Sequence, residues 1–127
     1  LQQLLVQQAQ ALLEQLPNST QLDQRLQHSI LTGLQKNQYQ IEYIAAQLGL
    51  SVRQLQRHLQ QQSTTFQERV QQVRFMLATE YLKDPHLSLQ EIALLLCYSE
   101  QSAFQRAFKD WTKQTPQQWR DQFLNKE

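Results

Sequence analysis

The sequence predicts an all-α fold in which two helix-turn-helix units are joined by a long helix. Three observations predict it. Only two glycines and three prolines occur in 127 residues, and β-branched residues are too few for an alternating strand. Helix start signals recur: Ser51 with Gln54, Ser88 with Glu91 and Thr115 with Gln118 have capping-box spacing. Two segments, one near residue 44 and one near residue 92, repeat the same pattern of apolar stripe, tight turn and second helix.

The elements follow in order. Residues 1–16 place Leu5, Ala9, Leu12 and Leu16 on one helical face, and Pro17-Asn18 ends that helix. It reads as a connector; a dimerising helix is the sharper alternative, but two heptads are too few for a coiled coil. A second helix starts near Thr20, capped with Asp23, and carries Leu22, Leu26, Ile30 and Leu34 at i+4 steps up to the polar break Lys36-Asn37-Gln38. Ile41, Ile44, Ala45 and Leu48 form the next stripe, and Gly49 suits a positive-φ helix end. Ser51 then starts a helix with Val52, Leu55 and Leu59 inward and Arg53, Gln54, Gln56, Arg57 and Gln60 outward.

After a turn at Gln62-Ser63-Thr64, Thr65 and Glu68 mark the start of the long helix. Its stripe is Phe66, Val70, Val73, Leu77 and Tyr81, with Ala78 and Leu82 beside it, and Asp84-Pro85 ends it. The stretch Ser88–Arg120 then reads as three short helices, with Ser99 as N-cap of the middle one and Pro116 at the first position of the last.

The repeat can be aligned residue by residue. Ile44-Ala45 matches Ile92-Ala93, and Leu50-Ser51 matches Tyr98-Ser99; with one extra residue in the second unit, Leu55-Gln56-Arg57-His58-Leu59 matches Phe104-Gln105-Arg106-Ala107-Phe108. A connecting helix from Phe66 to Lys83 is about 27 Å long at ~1.5 Å per residue. That length can hold two recognition helices about 34 Å apart, one turn of DNA, on one face of a duplex.

Charge fits this reading in its distribution more than in its sum. The net charge is only +1, but residues 51–120 carry nine Lys/Arg against six Asp/Glu, while the first fifty carry two against three. Arginine can grip guanine with two hydrogen bonds, and glutamine can do the same with adenine. The expected base readers are Arg53, Gln56 and Arg57 in the first unit and Gln101, Ser102, Gln105 and Arg106 in the second. Ser99, Lys109 and Lys113 are placed for phosphates. An outward Gln or Arg is ordinarily just solvated; the recurrence of this pattern after two helix-turn-helix turns raises these above that reading. Glu100 is assigned to helix stabilisation, Arg74 and Arg120 to ion pairs or carbonyl bonds with DNA-backbone contact as the alternative, and Tyr98, Phe104, Phe108, Trp111 and Trp119 to the core.

Other chemistries find no support in the sequence. His28, His58 and His86 are far apart and lack metal-ligand companions, so neither metal nor cofactor is expected. There is no Gly-rich phosphate loop and no GxSxG, and Glu80 and Asp84 read as helix-surface charge, so no enzyme is expected. Cys97, the single cysteine, excludes an internal disulfide and reads as a partly buried inert thiol. No apolar run reaches the ~20 residues of a membrane span, no signal peptide pattern is visible, and a chain beginning at Leu1 reads as a fragment.

Over residues 24–122 the chain resembles the C-terminal DNA-binding region of AraC-type bacterial transcription regulators. The resemblance is most specific from Tyr98 to Lys109 (YSEQSAFQRAFK), continuing to Thr115-Pro116 and Trp119-Arg120. Ile44-Ala45 through Leu55-Gln56-Arg57, then Phe66, Val73-Arg74 and Ala78, support it. It implies about seven helices, two helix-turn-helix subdomains and a linker helix: residues 1–20 as a connector from a missing N-terminal domain, 21–64 and 85–127 as the subdomains, and 65–84 as the linker. It also implies sequence-specific binding to promoter DNA, activation with RNA polymerase as partner, a small-molecule effector acting only through the missing domain, and a cytoplasmic, nucleoid-associated location. The fragment itself is expected to be monomeric.

Three positions depart from the family pattern. Cys97, Ser63 and Lys113 stand where the family usually has glycine. If those positions require positive φ, each substitution costs about 1 kcal/mol of strain. Two other functional classes are weighed against the regulator: a helical protein-interaction adaptor without DNA binding, and a Cys97-dependent repair enzyme.

Overall fold

The computed structural model describes residues 4–8, 11 and 20–125. Every regular element among them is helical. In chain order they are α1 (Gln21–Gln35), α2 (Ile41–Gln47), α3 (Val52–Gln61), α4 (Phe66–Leu82), α5 (Leu89–Leu95), α6 (Gln101–Thr112) and α7 (Pro116–Leu124). Residues 4–8 are also helical, with Leu5 half-buried; Ala9, Leu12 and Leu16 of the expected first stripe lie outside the described residues.

The helices begin where short side chains can satisfy their first free N–H groups. Thr20, Ser51, Ser88 and Thr115 each accept from the third residue of the helix, and Asp23, Gln54, Glu91 and Gln118 return a bond to the cap backbone. Thr65 does the same one way for α4, its hydroxyl accepting from the Glu68 N–H at 3.1 Å.

The helix ends are equally regular. After α1, α2, α3 and α5 comes a residue with positive φ, respectively Asn37, Gly49, Ser63 and Cys97. Each end carries the same pair of backbone bonds. At α2 they run from Gly49 N–H to Ala46 O (3.1 Å) and from Leu50 N–H to Ala45 O (2.9 Å). At α5 they run from Cys97 N–H to Leu94 O (3.0 Å) and from Tyr98 N–H to Ala93 O (2.9 Å). These are Schellman ends, whose closing residue must be left-handed. Lys113, at φ 63°, closes α6 with a single bond from its N–H to Lys109 O at 2.7 Å. Ser63, Cys97 and Lys113 thus occupy the strained conformation that the departures from glycine imply.

The chain divides into two compact units, and the boundary falls inside α4, between Arg74 and Phe75. The first unit has a core of Leu26, Ile30, Leu34, Ile44, Ala45, Leu55, Leu59, Val70 and Val73, all buried. Gly33 lets α1 approach the α1–α2 loop, since a Cβ there would collide with the carbonyl oxygen of Gln38. Arg74, buried, lies over the Tyr39 ring at 5.0 Å from its centroid.

The second unit contains Phe75 onward and residues 4–8, with Val6 buried. Its centre is aromatic. Phe108 lies 5.9 Å from Phe104, 6.1 Å from Phe75, 6.2 Å from Trp111 and 6.4 Å from Trp119, centroid to centroid. Phe104 and Phe108 are fully buried, so each contributes about 2–3 kcal/mol by burial alone. Arg120 is buried, and its Nε donates to Leu82 O at 2.9 Å and its Nη2 to Asp84 O at 3.2 Å, satisfying carbonyls at the end of α4.

Glu80 is not helix-surface charge: it is 2% exposed, and its carboxylate accepts from Lys83 Nζ at 3.1 Å. The i,i+3 lysine keeps the ion paired as the apolar neighbours Tyr81 and Leu82 draw this turn of α4 into the core. Asp84 is half-buried and accepts from the His86 backbone N–H at 2.9 Å.

Candidate nucleic-acid interface

In the first unit, α2, the Schellman end at Gly49 and the Ser51 cap deliver α3. Arg25 of α1 supports the turn, its Nη2 donating to Leu48 O at 3.4 Å. Leu55 and Leu59 are buried and fix which side of α3 faces in. Arg53, Gln56, Arg57 and Gln60 are all exposed. Their i, i+3, i+4, i+7 spacing puts them on one stripe. Gln54, also exposed, is committed to the capping box, with its Oε1 accepting from Ser51 N–H at 2.8 Å. No acidic residue lies in α3, so the stripe presents two guanidinium groups and two amides with no carboxylate among them.

The second unit repeats the design with α5, the Cys97 turn and α6. Phe104 and Phe108 take the places of Leu55 and Leu59. Ser102, Arg106 and Lys109 are exposed and Gln105 is half-buried, again at i, i+3, i+4, i+7. Gln101 is half-buried beside Gln105, one turn earlier. Ser102 Oγ donates to Glu100 Oε2 at 3.3 Å. Lys113 is exposed in the left-handed residue that ends α6.

The N-cap of α6 is Glu100, with φ −142° and ψ 147°, and not Ser99; the Glu100 side chain makes no capping bond. The cause is the single extra residue in the second unit. In the first, the Schellman end closes at Leu50 and Ser51 follows at once as the cap. In the second it closes at Tyr98, and Ser99 is interposed, exposed, before Glu100.

Counted from their first helical residues, Val52 and Gln101, the two helices then align without a gap. Arg53 corresponds to Ser102, Gln56-Arg57 to Gln105-Arg106, and Gln60 to Lys109. Gln60, exposed at the position equivalent to Lys109, is a further member of the stripe beyond the expected readers. Extending the repeat by three residues beyond Arg57 and Arg106 would have found it.

Among the described residues no group of three or more His, Cys, Asp or Glu is arranged to hold a metal ion, and no helix is long and apolar enough to cross a membrane. Cys97 is half-buried.

A family model described as a helix-turn-helix domain matches residues 44–122. Among characterised relatives, the ornithine utilization regulator of Pseudomonas aeruginosa is 43% identical over 81 residues, covering 64% of this chain and 24% of that protein. The HTH-type transcriptional regulator VirS of Mycobacterium tuberculosis is 37% identical over 105 residues, covering 83% of this chain and 31% of that protein. The chain therefore spans about a quarter to a third of the length of these relatives. In fold it resembles a DNA-binding transcriptional dual regulator from Escherichia coli K-12, with a TM-score of 0.79 at 17% identity over 87% of this chain and 99% of the other. It also resembles the transcriptional regulator CdpR from Pseudomonas aeruginosa, with a TM-score of 0.62 at 28% identity over 73% of this chain and 31% of the other.

Proposed function

The chain belongs to the AraC-type helix-turn-helix family of DNA-binding transcriptional regulators, and on that premise we propose that α3 and α6 read two successive major-groove segments of one promoter site. The observation that carries this is the matched pair of exposed stripes. Each presents a Gln-Arg pair at the fifth and sixth helical positions, behind a Schellman turn and over buried anchors. Arg57 and Arg106 are the leading base readers, with Gln56, Gln105, Arg53, Gln101 and Ser102 beside them. Ser99, Lys109 and Lys113 contact phosphates and set register. α4 acts as the spacer between the two readers.

In the whole protein this region acts in the cytoplasm on the nucleoid and works as an activator with RNA polymerase as partner. An effector signal reaches it through a separate domain, and this chain binds as a monomer. The adaptor alternative is less well supported, since the amphipathic stripes it would use to dock partners form the buried cores of the two units, and the large apolar side chains left exposed among the described residues are Leu4, Leu94, Phe123 and Leu124.

Selection of bound sites from random DNA tests the proposal. It is expected to return a motif with two blocks about one DNA turn apart. Arg57→Ala should relax one block and Arg106→Ala the other, each by about 1–3 kcal/mol at the affected base pair. Affinity should fall steeply with salt. A single block, or undiminished specificity in the double variant, would sink the assignment.

A further inference from the structure

We propose that the Asp23 carboxylate is a positioning residue for base readout by the first recognition helix. Asp23 lies in the first turn of α1, outside the helix-turn-helix, and is 3% exposed. Its carboxylate gathers groups from three other places in the first unit. Thr20 Oγ1 donates to Oδ2 at 2.8 Å and the Thr20 N–H at 3.3 Å. Gln62 Nε2 donates to Oδ2 at 2.7 Å. His58 Nε2 lies 3.2 Å from Oδ1, and Arg69 Nη1 lies 3.5 Å from the same oxygen. Arg69 Nη1 also donates to Gln62 Oε1 at 3.3 Å, closing the cluster.

Two of these groups, His58 and Gln62, stand one turn apart on the last part of α3 and its C-cap. Apolar contacts through Leu55 and Leu59 hold the helix down but tolerate small rotation, because dispersion is not directional. Two hydrogen bonds to one fixed carboxylate are directional, and they set the rotation of α3 about its axis. His58 follows Arg57 directly, so a change in that rotation moves the Arg57 guanidinium by a comparable angle. Bidentate readout of a base edge tolerates little such error.

The contrast with the second unit supports the assignment. Among the described residues no ion pair joins α6 to another element; large interlocking rings fix it, with Phe108 set against Phe75 and Trp119 of other elements and Phe104 against Tyr98. Leu55 and Leu59 have no ring interlock to do that work, and the polar clamp takes its place.

The inference rests on the two-reader proposal, and the test separates them. Base discrimination is measured as the affinity ratio between the selected site and single-base-pair variants, block by block, for the chain carrying His58→Ala with Gln62→Ala. The α1 residue stays intact in this variant. Discrimination in the block assigned by Arg57→Ala is expected to fall on the order of tenfold, while the block assigned by Arg106→Ala keeps its ratio. His58→Gln, whose amide can donate to the same oxygen, should restore most of the loss. Asp23→Asn should reproduce the block-selective loss with an unchanged helical circular dichroism spectrum.

Three results overturn the inference: full discrimination in the double variant, equal loss in both blocks, or no rescue by His58→Gln. If Arg57→Ala itself leaves both blocks intact, the two-reader reading falls and takes the positioning role with it. If the double variant does not fold, Gln62→Ala alone is measured under the same criteria.

Discussion

Restoring glycine at the left-handed helix ends should stabilise the protein, and by an amount that depends on what the native side chain contributes. Ser63 and Lys113 sit at φ 59° and 63° with exposed side chains. A non-glycine residue in the left-handed region costs about 1–2 kcal/mol. Glycine gives back about 0.5–1 kcal/mol through the greater freedom of its unfolded chain. Ser63→Gly and Lys113→Gly should therefore each gain about 0.5 kcal/mol, roughly 2–4 °C in Tm for units of this size. Cys97 has φ 67° but is half-buried, so Cys97→Gly also loses burial worth about 0.5 kcal/mol and should be near neutral.

Gly49→Ala is the reverse control. At φ 72° a Cβ there meets nothing within 4 Å, so no steric clash adds to the same two opposing terms, and the net loss should be about 0.5 kcal/mol. Urea denaturation of the four variants at one pH, followed by circular dichroism, reads all of these. The reasoning fails if Ser63→Gly and Lys113→Gly destabilise while Gly49→Ala is neutral.

Acid titration addresses Asp23. Burial pushes its carboxyl pKa up, but hydrogen bonds from Gln62, Thr20 and His58 outweigh that and hold it at about 2, below the ordinary 3.8. A depressed folded pKa contributes stability that is present above pH 3.8 and lost as pH falls through 2, here about 2 kcal/mol. Between pH 5 and pH 2 the urea midpoint should fall more steeply in the parent chain than in Asp23→Asn; parallel slopes would contradict the clamp. Arg120→Met should cost about 2–3 kcal/mol by stranding the Leu82 and Asp84 carbonyls, whereas an unchanged Tm would mean water replaces the guanidinium. Gly33→Ala should destabilise by more than Gly49→Ala, because its Cβ meets the Gln38 carbonyl oxygen; calorimetry of the pair decides this.

The sequence was informative wherever the interaction is local. Thr20/Asp23, Ser51/Gln54, Ser88/Glu91 and Thr115/Gln118 each span three residues, so spacing alone reveals them. The exposed stripes were legible for the same reason, because Leu55/Leu59 and Phe104/Phe108 fix the inward face at helical period. Long-range partners were not. Asp23 reads as a cap, and nothing near it announces His58, Gln62 or Arg69, which lie 35, 39 and 46 residues away. Glu80 looked like surface charge because its burial is decided by tertiary packing of α4, which carries no local signature. The start of α6 was misplaced by one residue because serine is the better cap by type, while the backbone of the preceding turn decides the position.

That interposed Ser99 also dictates how the two readers can be exchanged. A segment moved from one unit to the other can be matched on the turn, at Leu50 and Tyr98, or on the first helical residues, Val52 and Gln101. The two matches differ by one residue, and one residue is about 100° of helix rotation. A chimera joined on the turn would swing Gln-Arg off the outer face, placing Gln56 in the slot that Phe104 fills or, in the reverse exchange, the small Ala103 in the slot that Leu55 fills. The units are thus interchangeable parts only in helical register, and the loop ahead of the second works as a one-residue adapter.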